Sequence, residues 1–204
     1  MGIFLDNNFK LYQDTILYKA FLRLCNELHS HMPVVSELKF IVAGGMAVHI
    51  YTGDRITYDV DAEFHHKLLI PENIMVNFSF DGKKFNKLYF NYRYTTTLSL
   101  MHPDYIENSV PLDVGINNFN VSILSPIDLI VSKIARLQPV DISDISKLIN
   151  KFNISSKELE LHIEESLIYY PIQADFIKHN IRNVLEIAQD RTKNSKSDNI
   201  KLDG

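Results

Sequence analysis

Two aspartates spaced by one residue in a β-forming segment, Asp59 and Asp61, constrain this chain more than any other feature of it. Residues 55–64 alternate, with Arg55, Thr57, Asp59, Asp61 and Glu63 on one set of positions and Ile56, Tyr58, Val60, Ala62 and Phe64 on the other. A period of two predicts a strand with one apolar face. Aspartate is depleted in strands, and carboxylates at i and i+2 point the same way, about 7 Å apart. They repel unless something positive sits between them. A divalent cation resolves the repulsion, and an edge strand carrying solvated charge is the alternative.

The segment upstream supplies a partner for that pair. Phe40 to Ala43 is a short apolar run ending in Gly44-Gly45, and residues 46–51 then fit a helix. This predicts a strand, a tight turn and a helix N-terminus. Glycine there permits positive φ and close approach of a ligand, while the free N–H groups of the first helical turn suit a phosphate. A plain turn would use the same glycines. Mg²⁺ is usually held by one or two carboxylates together with substrate phosphate oxygens, so the turn and the aspartates read as two halves of one site.

The remaining sequence reads as support. Leu17, Phe21, Leu24, Cys25 and Leu28 recur at helical spacing, so residues 10–29 form an amphipathic helix with Cys25 as a small buried hydrophobe. His29 and His31 close that helix. His65-His66 reads as a loop pair, because adjacent strand residues face opposite ways. Residues 74–80 and 83–94 form a hairpin about Asp81-Gly82, extended by a strand near 95–101, and His102-Pro103-Asp104-Tyr105 ends the sheet. The returning strand interleaves Lys83, Lys84, Lys87 and Arg93 with Phe85, Tyr89, Phe90, Tyr92 and Tyr94 and contains no acidic residue. It suits phosphate contact and base stacking, or else a two-faced strand whose lysines guard an exposed edge.

Composition bounds the partners. A net charge of −4 and a pI of about 6.0 exclude a global basic field, so any nucleic-acid contact is local. The single Cys25 excludes an internal disulfide, and no Cys/His spacing suggests zinc, which together predict a reducing cytoplasm. The first ten residues carry no secretory pattern, Asp6 stands where a myristoylation signal has Ser or Thr, and no apolar run is long enough for a bilayer. The expectation is an untargeted, soluble, cytoplasmic protein with no membrane partner.

In the C-terminal part, residues 121–124 form a strand and Ser125-Pro126-Ile127-Asp128 opens a helix with the stripe Ile127, Ile130, Val131, Ile134 and Leu137. Lys133 flanks that stripe and Arg136 lies away from it. A second helix opens at Asp141, with Asp144 three residues on; as helix caps, Asp128, Asp141 and Asp144 need no other role. Residues 155–170 and 172–188 form two more helices divided by Pro171, and a polar tail follows. The expected fold class is α+β, a mixed sheet flanked by helices. Its parts are a core over residues 1–122, a helical region over 123–190 and the tail over 191–204.

A strand ending in Gly44-Gly45, 13 intervening residues and Asp59-Val60-Asp61 together resemble the signature of the nucleotidyltransferase superfamily related to DNA polymerase β. The form Arg55-x-Thr57-x-Asp59-x-Asp61 is similar to its bacterial toxin branch, the AbiEii abortive-infection and type IV toxin–antitoxin nucleotidyltransferases. Residues 125–149 resemble paired motifs downstream in that branch, an Asp then a Lys on one helix and Arg-Asp-x-x-Asp at the next. Asp128, Lys133, Asp141 and Asp144 match, and Val140 stands where the family has arginine.

The resemblance implies a nucleotidyltransferase-like fold, a nucleoside triphosphate (NTP) substrate, and Mg²⁺ or Mn²⁺ on Asp59 and Asp61. It implies catalytic roles for Asp59, Asp61, Asp113 and Lys133, and nucleotide contacts from Gly44, Gly45, Arg55, Thr57, Lys133, Asp141 and Asp144. Asp113, in Leu112-Asp113-Val114-Gly115, is the third carboxylate such enzymes place on a later strand, with Glu63 the same-face alternative. The implied acceptor is tRNA or a protein, and the implied partner an antitoxin. A catalytically inactive nucleotide- or partner-binding module shares the motif. So does a small-molecule (antibiotic) nucleotidyltransferase, which needs an acidic pocket where this chain offers a basic aromatic strand.

Overall fold

The computed structural model describes residues 9–32, 38–64, 70–97, 99–171 and 174–200, and the chain divides into two compact units. One comprises residues up to 95 together with 106–125; the other comprises 96–105 and the chain from 126 onward. His65 and His66 lie outside the described residues.

The first unit is built on six strands, β1 (Leu38–Val42), β2 (Asp59–Phe64), β3 (Met75–Phe78), β4 (Asn86–Asn91), β5 (Val110–Leu112) and β6 (Phe119–Ile123), in the order β3-β4-β2-β1-β6-β5. β1 runs antiparallel to β2 and parallel to β6, β2 runs parallel to β4, and the pairs β3–β4 and β5–β6 are antiparallel. The sheet is therefore mixed and the fold α+β, as expected. Val60 and Ala62 of β2 join Phe40, Val42, Leu88, Phe90, Val121 and Ile123 in the core. The Phe40 ring lies 4.7 Å from Phe64, 5.4 Å from Phe119 and 5.9 Å from Phe90, tying four strands through one aromatic cluster.

Helix α1 (Ile16–Ser30) packs on β3 and β4, and α2 (Gly44–Thr52) packs on β2. α1 starts at Ile16 rather than near residue 10 because the Thr15 side chain accepts the Tyr18 N–H at 3.1 Å and caps it there. Its Leu17, Phe21, Leu24, Cys25 and Leu28 are all buried, and burial pushes the Cys25 thiol pKa up, leaving an unreactive packing group.

The second unit is helical: α3 (Pro126–Ile134), α4 (Pro139–Phe152), α5 (Ser156–Leu167), a 3₁₀ turn (Ala174–Phe176) and α6 (Lys178–Ile200). α3 meets α4 and α5, and α6 meets α4 and α5. Ser155 opens α5 by accepting the Glu158 N–H at 3.2 Å. Asn153 closes α4 in the left-handed conformation, with φ 56°. α6 continues to Ile200, through the polar stretch read from sequence as a tail.

Three further expectations change. β2 begins at Asp59, not Arg55, because residues 53–58 are held as a loop by bonds described below. The described residues of 95–101 form no strand; from Thr96 to Tyr105 the chain leaves the sheet and belongs to the helical unit, so His102 does not end the sheet. Local β propensity has yielded there to tertiary packing, with Leu100 fully buried. β4 lies inside the sheet, so Lys87 guards no edge, and Lys83 and Lys84 fall in the loop before it; β3 and β5 are the edges. Among the described residues no helix is long and apolar enough to cross a membrane.

Candidate functional site

The glycine turn and the aspartates meet in the sheet unit. Ala43 N–H donates to the Asp61 carbonyl at 2.8 Å, so the turn into α2 is fastened to β2 at Asp61 itself. Gly44 has φ +58°, and a Cβ at this position would collide with Asp61 Oδ2. At Gly45 a Cβ would come within 2.8 Å of Thr57 Oγ1. Both glycines are thus demanded by close approach, and Gly44 by backbone conformation as well. Ala43, the residue before α2, makes no side-chain capping bond. The positive end of the helix therefore stands beside the Asp61 carboxylate.

Asp59 is exposed and Asp61 half-buried. Thr57 Oγ1 donates to Asp59 Oδ1 at 2.7 Å, and Asn91 Nδ2, across from Asp61 on β4, donates to Asp61 Oδ1 at 2.7 Å. A hydroxyl fixes the direction of the Asp59 carboxylate and an amide that of Asp61. Hard oxygen donors on one face of one strand fit a divalent cation of the Mg²⁺ or Mn²⁺ type.

The loop that delivers Arg55 and Thr57 hangs on His49. Its Nδ1 lies 2.8 Å from the Arg55 carbonyl, which only accepts, so Nδ1 carries the proton. Nε2 then accepts from Thr15 Oγ1 at 2.7 Å, while Thr15 itself accepts the Tyr18 N–H. This network suits a neutral ring, and burial holds the His49 pKa below its ordinary value against the opposing effects of the Arg55 carbonyl and Asp54. Arg55 bonds to the Ile56 carbonyl, and Thr57 is buried against Gly45.

Two further features flank the pair. On β4, Tyr89 stands opposite Asp59 and Asn91 opposite Asp61, with Lys87 next on the same face. Tyr89 is 44% exposed and Lys87 exposed, while Leu88 and Phe90 point into the core. The strand is thus two-faced, and its polar face adjoins the carboxylates. Asp113 is elsewhere. It follows β5, level with Asn120 and Lys39, whereas Asp61 is level with Ala43, four residues along and three strands across. By strand geometry that is roughly 20 Å. Asp113 lines a hollow of about 590 Å³ with Lys39, Ser109, Asn120 and Ser122, and its Oδ1 accepts the Gly115 N–H at 2.8 Å. Glu63, on the Asp61 face, stands opposite Ile41 of β1.

In the helical unit, Lys133 Nζ lies 3.2 Å from Asp141 Oδ1 and 3.0 Å from Asp144 Oδ2, with all three residues buried. Arg136 adds a two-pronged contact to Asp141, Nε to Oδ2 at 2.9 Å and Nη2 to Oδ1 at 2.7 Å. Burial pushes the Asp141 carboxyl up, but Arg136, Lys133 and the Gln138 N–H together hold it below the usual carboxylate range. Asp128 is fully buried and accepts from His162 Nε2 at 2.7 Å. The network fastens α3 to α4 and α5.

A family model described as a nucleotidyltransferase of unknown function (DUF6036) matches residues 19–194. The chain belongs to that family. No curated protein and no solved structure matches it. Sequence reasoning on this nucleotidyltransferase missed three residues that shape its sites. Asn91 was read only as part of a basic aromatic strand, although its place two residues after Tyr89 on the polar face was available from alternation. Arg136 gives Asp141 a guanidinium partner from five residues upstream, with Val140 at the position before it. His49 gave no signal, since its partners are backbone and a threonine 34 residues away.

Proposed function

We propose that the protein transfers a nucleoside monophosphate from an NTP to RNA, with release of pyrophosphate. The observation that carries the proposal is the contact of Asp61 with Gly44, which sets a charged carboxylate against the N-terminus of α2. In this reading the α2 amides at Gly44 and Gly45 bind phosphate, and Asp59 and Asp61 hold Mg²⁺ or Mn²⁺. The ion, when bound, supplies neutralisation of the phosphate charge. Thr57 and Asn91 keep both carboxylates aligned, and Arg55 and Thr57 are delivered by the His49-anchored loop. Such a reaction asks the protein for positioning and electrostatics rather than covalent chemistry.

RNA is favoured over a protein acceptor by Tyr89 and Lys87, an exposed ring and a cation beside Asp59 in a chain with no global basic field. The Arg55-x-Thr57-x-Asp59-x-Asp61 form supports the toxin of a toxin–antitoxin or abortive-infection system, with a protein antitoxin as partner. The burial of Lys133, Asp141 and Asp144 in mutual ion pairs favours a structural role for them over direct nucleotide contact.

A second reading, a nucleotide-binding module without turnover, is favoured by Asn91, where an amide and not a third carboxylate faces Asp61. Incubation with each α-labelled NTP, Mg²⁺, cellular RNA and protein, comparing the native chain with Asp61→Asn, separates the two. Label in RNA with the native chain alone is expected. Label in protein moves the acceptor, and binding without label establishes the module.

A further inference from the structure

A cluster of two histidines and a carboxylate in the helical unit takes no part in the proposed reaction, and only its His162–Asp128 bond belongs to the network described above. His162 and Glu165 sit one turn apart on α5, so their side chains share a helix face. His102 comes from the 96–105 segment of the same unit, and its ring stacks on that of His162 with centroids 4.3 Å apart. Both histidines are buried and Glu165 is half exposed. One ligand atom from each of the three lies within 4.8 Å of the other two.

We propose that His102, His162 and Glu165 form a zinc site that clips the 96–105 segment to α5, with Asp128 orienting His162. The Asp128 carboxylate accepts from His162 Nε2 at 2.7 Å, which puts the ring proton on Nε2 and makes Nδ1 the lone-pair atom. A buried carboxylate behind a histidine is the usual outer partner of a metal-binding imidazole. Two imidazole nitrogens and one carboxylate oxygen suit zinc better than Mg²⁺, which prefers oxygen alone.

His102 needs one adjustment. Its Nδ1 accepts the Asp104 N–H at 3.1 Å, so its proton is on Nε2 and shared with Glu165 Oε2 at 3.0 Å. The two rings are also within 14° of parallel, whereas a metal lies in the plane of each ring it binds. Entry of zinc therefore turns the His102 ring, gives up the bond from Asp104 so that Nδ1 presents its lone pair while the proton stays on Nε2, and draws Glu165 from its hydrogen bond toward the metal. Two hydrogen bonds of His102 are exchanged for three metal bonds. The site is assembled on binding, and the segment bearing His102 becomes less mobile in consequence.

The test uses the full chain carrying Asp59→Asn and Asp61→Asn, so that the carboxylate pair of the other unit takes no metal. After chelator treatment, zinc is titrated against a competing indicator, and X-ray absorption at the zinc edge reads the ligands. One zinc per chain is expected, with two imidazoles and a carboxylate bound and hydrogen exchange slowed over 99–105. Asp128→Asn should weaken affinity by about 10–100-fold. Glu165→Gln, a change at a half-exposed position the fold tolerates, should abolish stoichiometric binding while leaving the circular dichroism spectrum intact. No zinc uptake by the folded chain, or uptake unchanged by both Glu165→Gln and His162→Gln, overturns the proposal and leaves two carboxylate–histidine pairs.

Discussion

Asp59 with Asp61 in the sheet unit, and Asp141 with Asp144 in the helical unit, use one residue type in opposite ways. The first pair reaches the surface, and a hydroxyl and an amide orient it. The second pair is buried with the Lys133 ammonium between its members and the Arg136 guanidinium forked on Asp141. Two neighbouring carboxylates favour a cation, and in the reading proposed above the sheet pair meets a metal ion. In the helical unit the chain supplies that cation from α3, and the result is a joint between helices. In the sheet unit two glycines clear the backbone beside the carboxylates, which the proposed function reads as room for a ligand.

The comparison breaks most sharply at Lys133. Lys133→Met removes the buried cation and leaves two facing carboxylates without it, which should cost about 3–5 kcal/mol of stability in urea denaturation. If that variant keeps its stability and loses only nucleotide transfer, Lys133 serves the nucleotide and the contrast between the pairs is wrong. Asp61→Asn should do the converse. Stability should change by less than about 1 kcal/mol, since Asp61 is half-exposed, while transfer falls by about 10²–10³-fold, the usual effect of removing one preorganised electrostatic group.

A smaller effect tests the clearance at the turn. Gly44→Ala meets both the left-handed φ and Asp61 Oδ2, whereas Gly82→Ala has φ +71° with open space around it. Both should lose the roughly 1–2 kcal/mol of a left-handed alanine. Only Gly44→Ala should also lower transfer, by tenfold or more, because its methyl displaces the carboxylate. Equal transfer in the two variants would detach the glycine turn from the aspartate site.

The sheet site was legible in the sequence because its determinants are local. The strand before Gly44-Gly45, the helix after it and the alternation through Asp61 all lie within 25 residues, and Asp81-Gly82 announced the β3–β4 hairpin, although its connection is the loop 79–85 and not a two-residue turn. What stayed hidden depends on distant partners. Residues 55–58 alternate like a strand, yet His49 and its Thr15 partner hold them as a loop. The threonines at 95–97 favour a strand, but from Thr96 the chain joins the helical unit. The stacking of His102 on His162 joins residues 60 apart, a pairing no local spacing reports. Asp141 does cap α4, accepting the Gln138 N–H, but sequence does not reveal that Lys133 reaches both Asp141 and Asp144.

The smallest effect separates the units by acidity. His49 has a lowered pKa in the fold, so on acidification the unfolded chain takes up its proton first. Its contribution is complete above the unfolded value of about 6.5 and is lost as pH falls from there toward the lowered folded value. Asp141 is also lowered, but from the carboxylate range, so its contribution holds above about 3.9 and disappears only as pH falls through its folded value. Between pH 7 and 5 the loop bearing Arg55 and Thr57 should therefore loosen while the α3–α4 joint stays closed. Hydrogen exchange at residues 53–58 and at α4, followed across that range, reads both at once. His49→Asn can retain a donor to the Arg55 carbonyl without titrating, and should flatten the response of the loop alone. An equal response in the native chain and this variant would mean that His49 does not govern the loop, and a parallel loosening of α4 would mean that the two carboxylate environments are less distinct than their hydrogen bonds indicate.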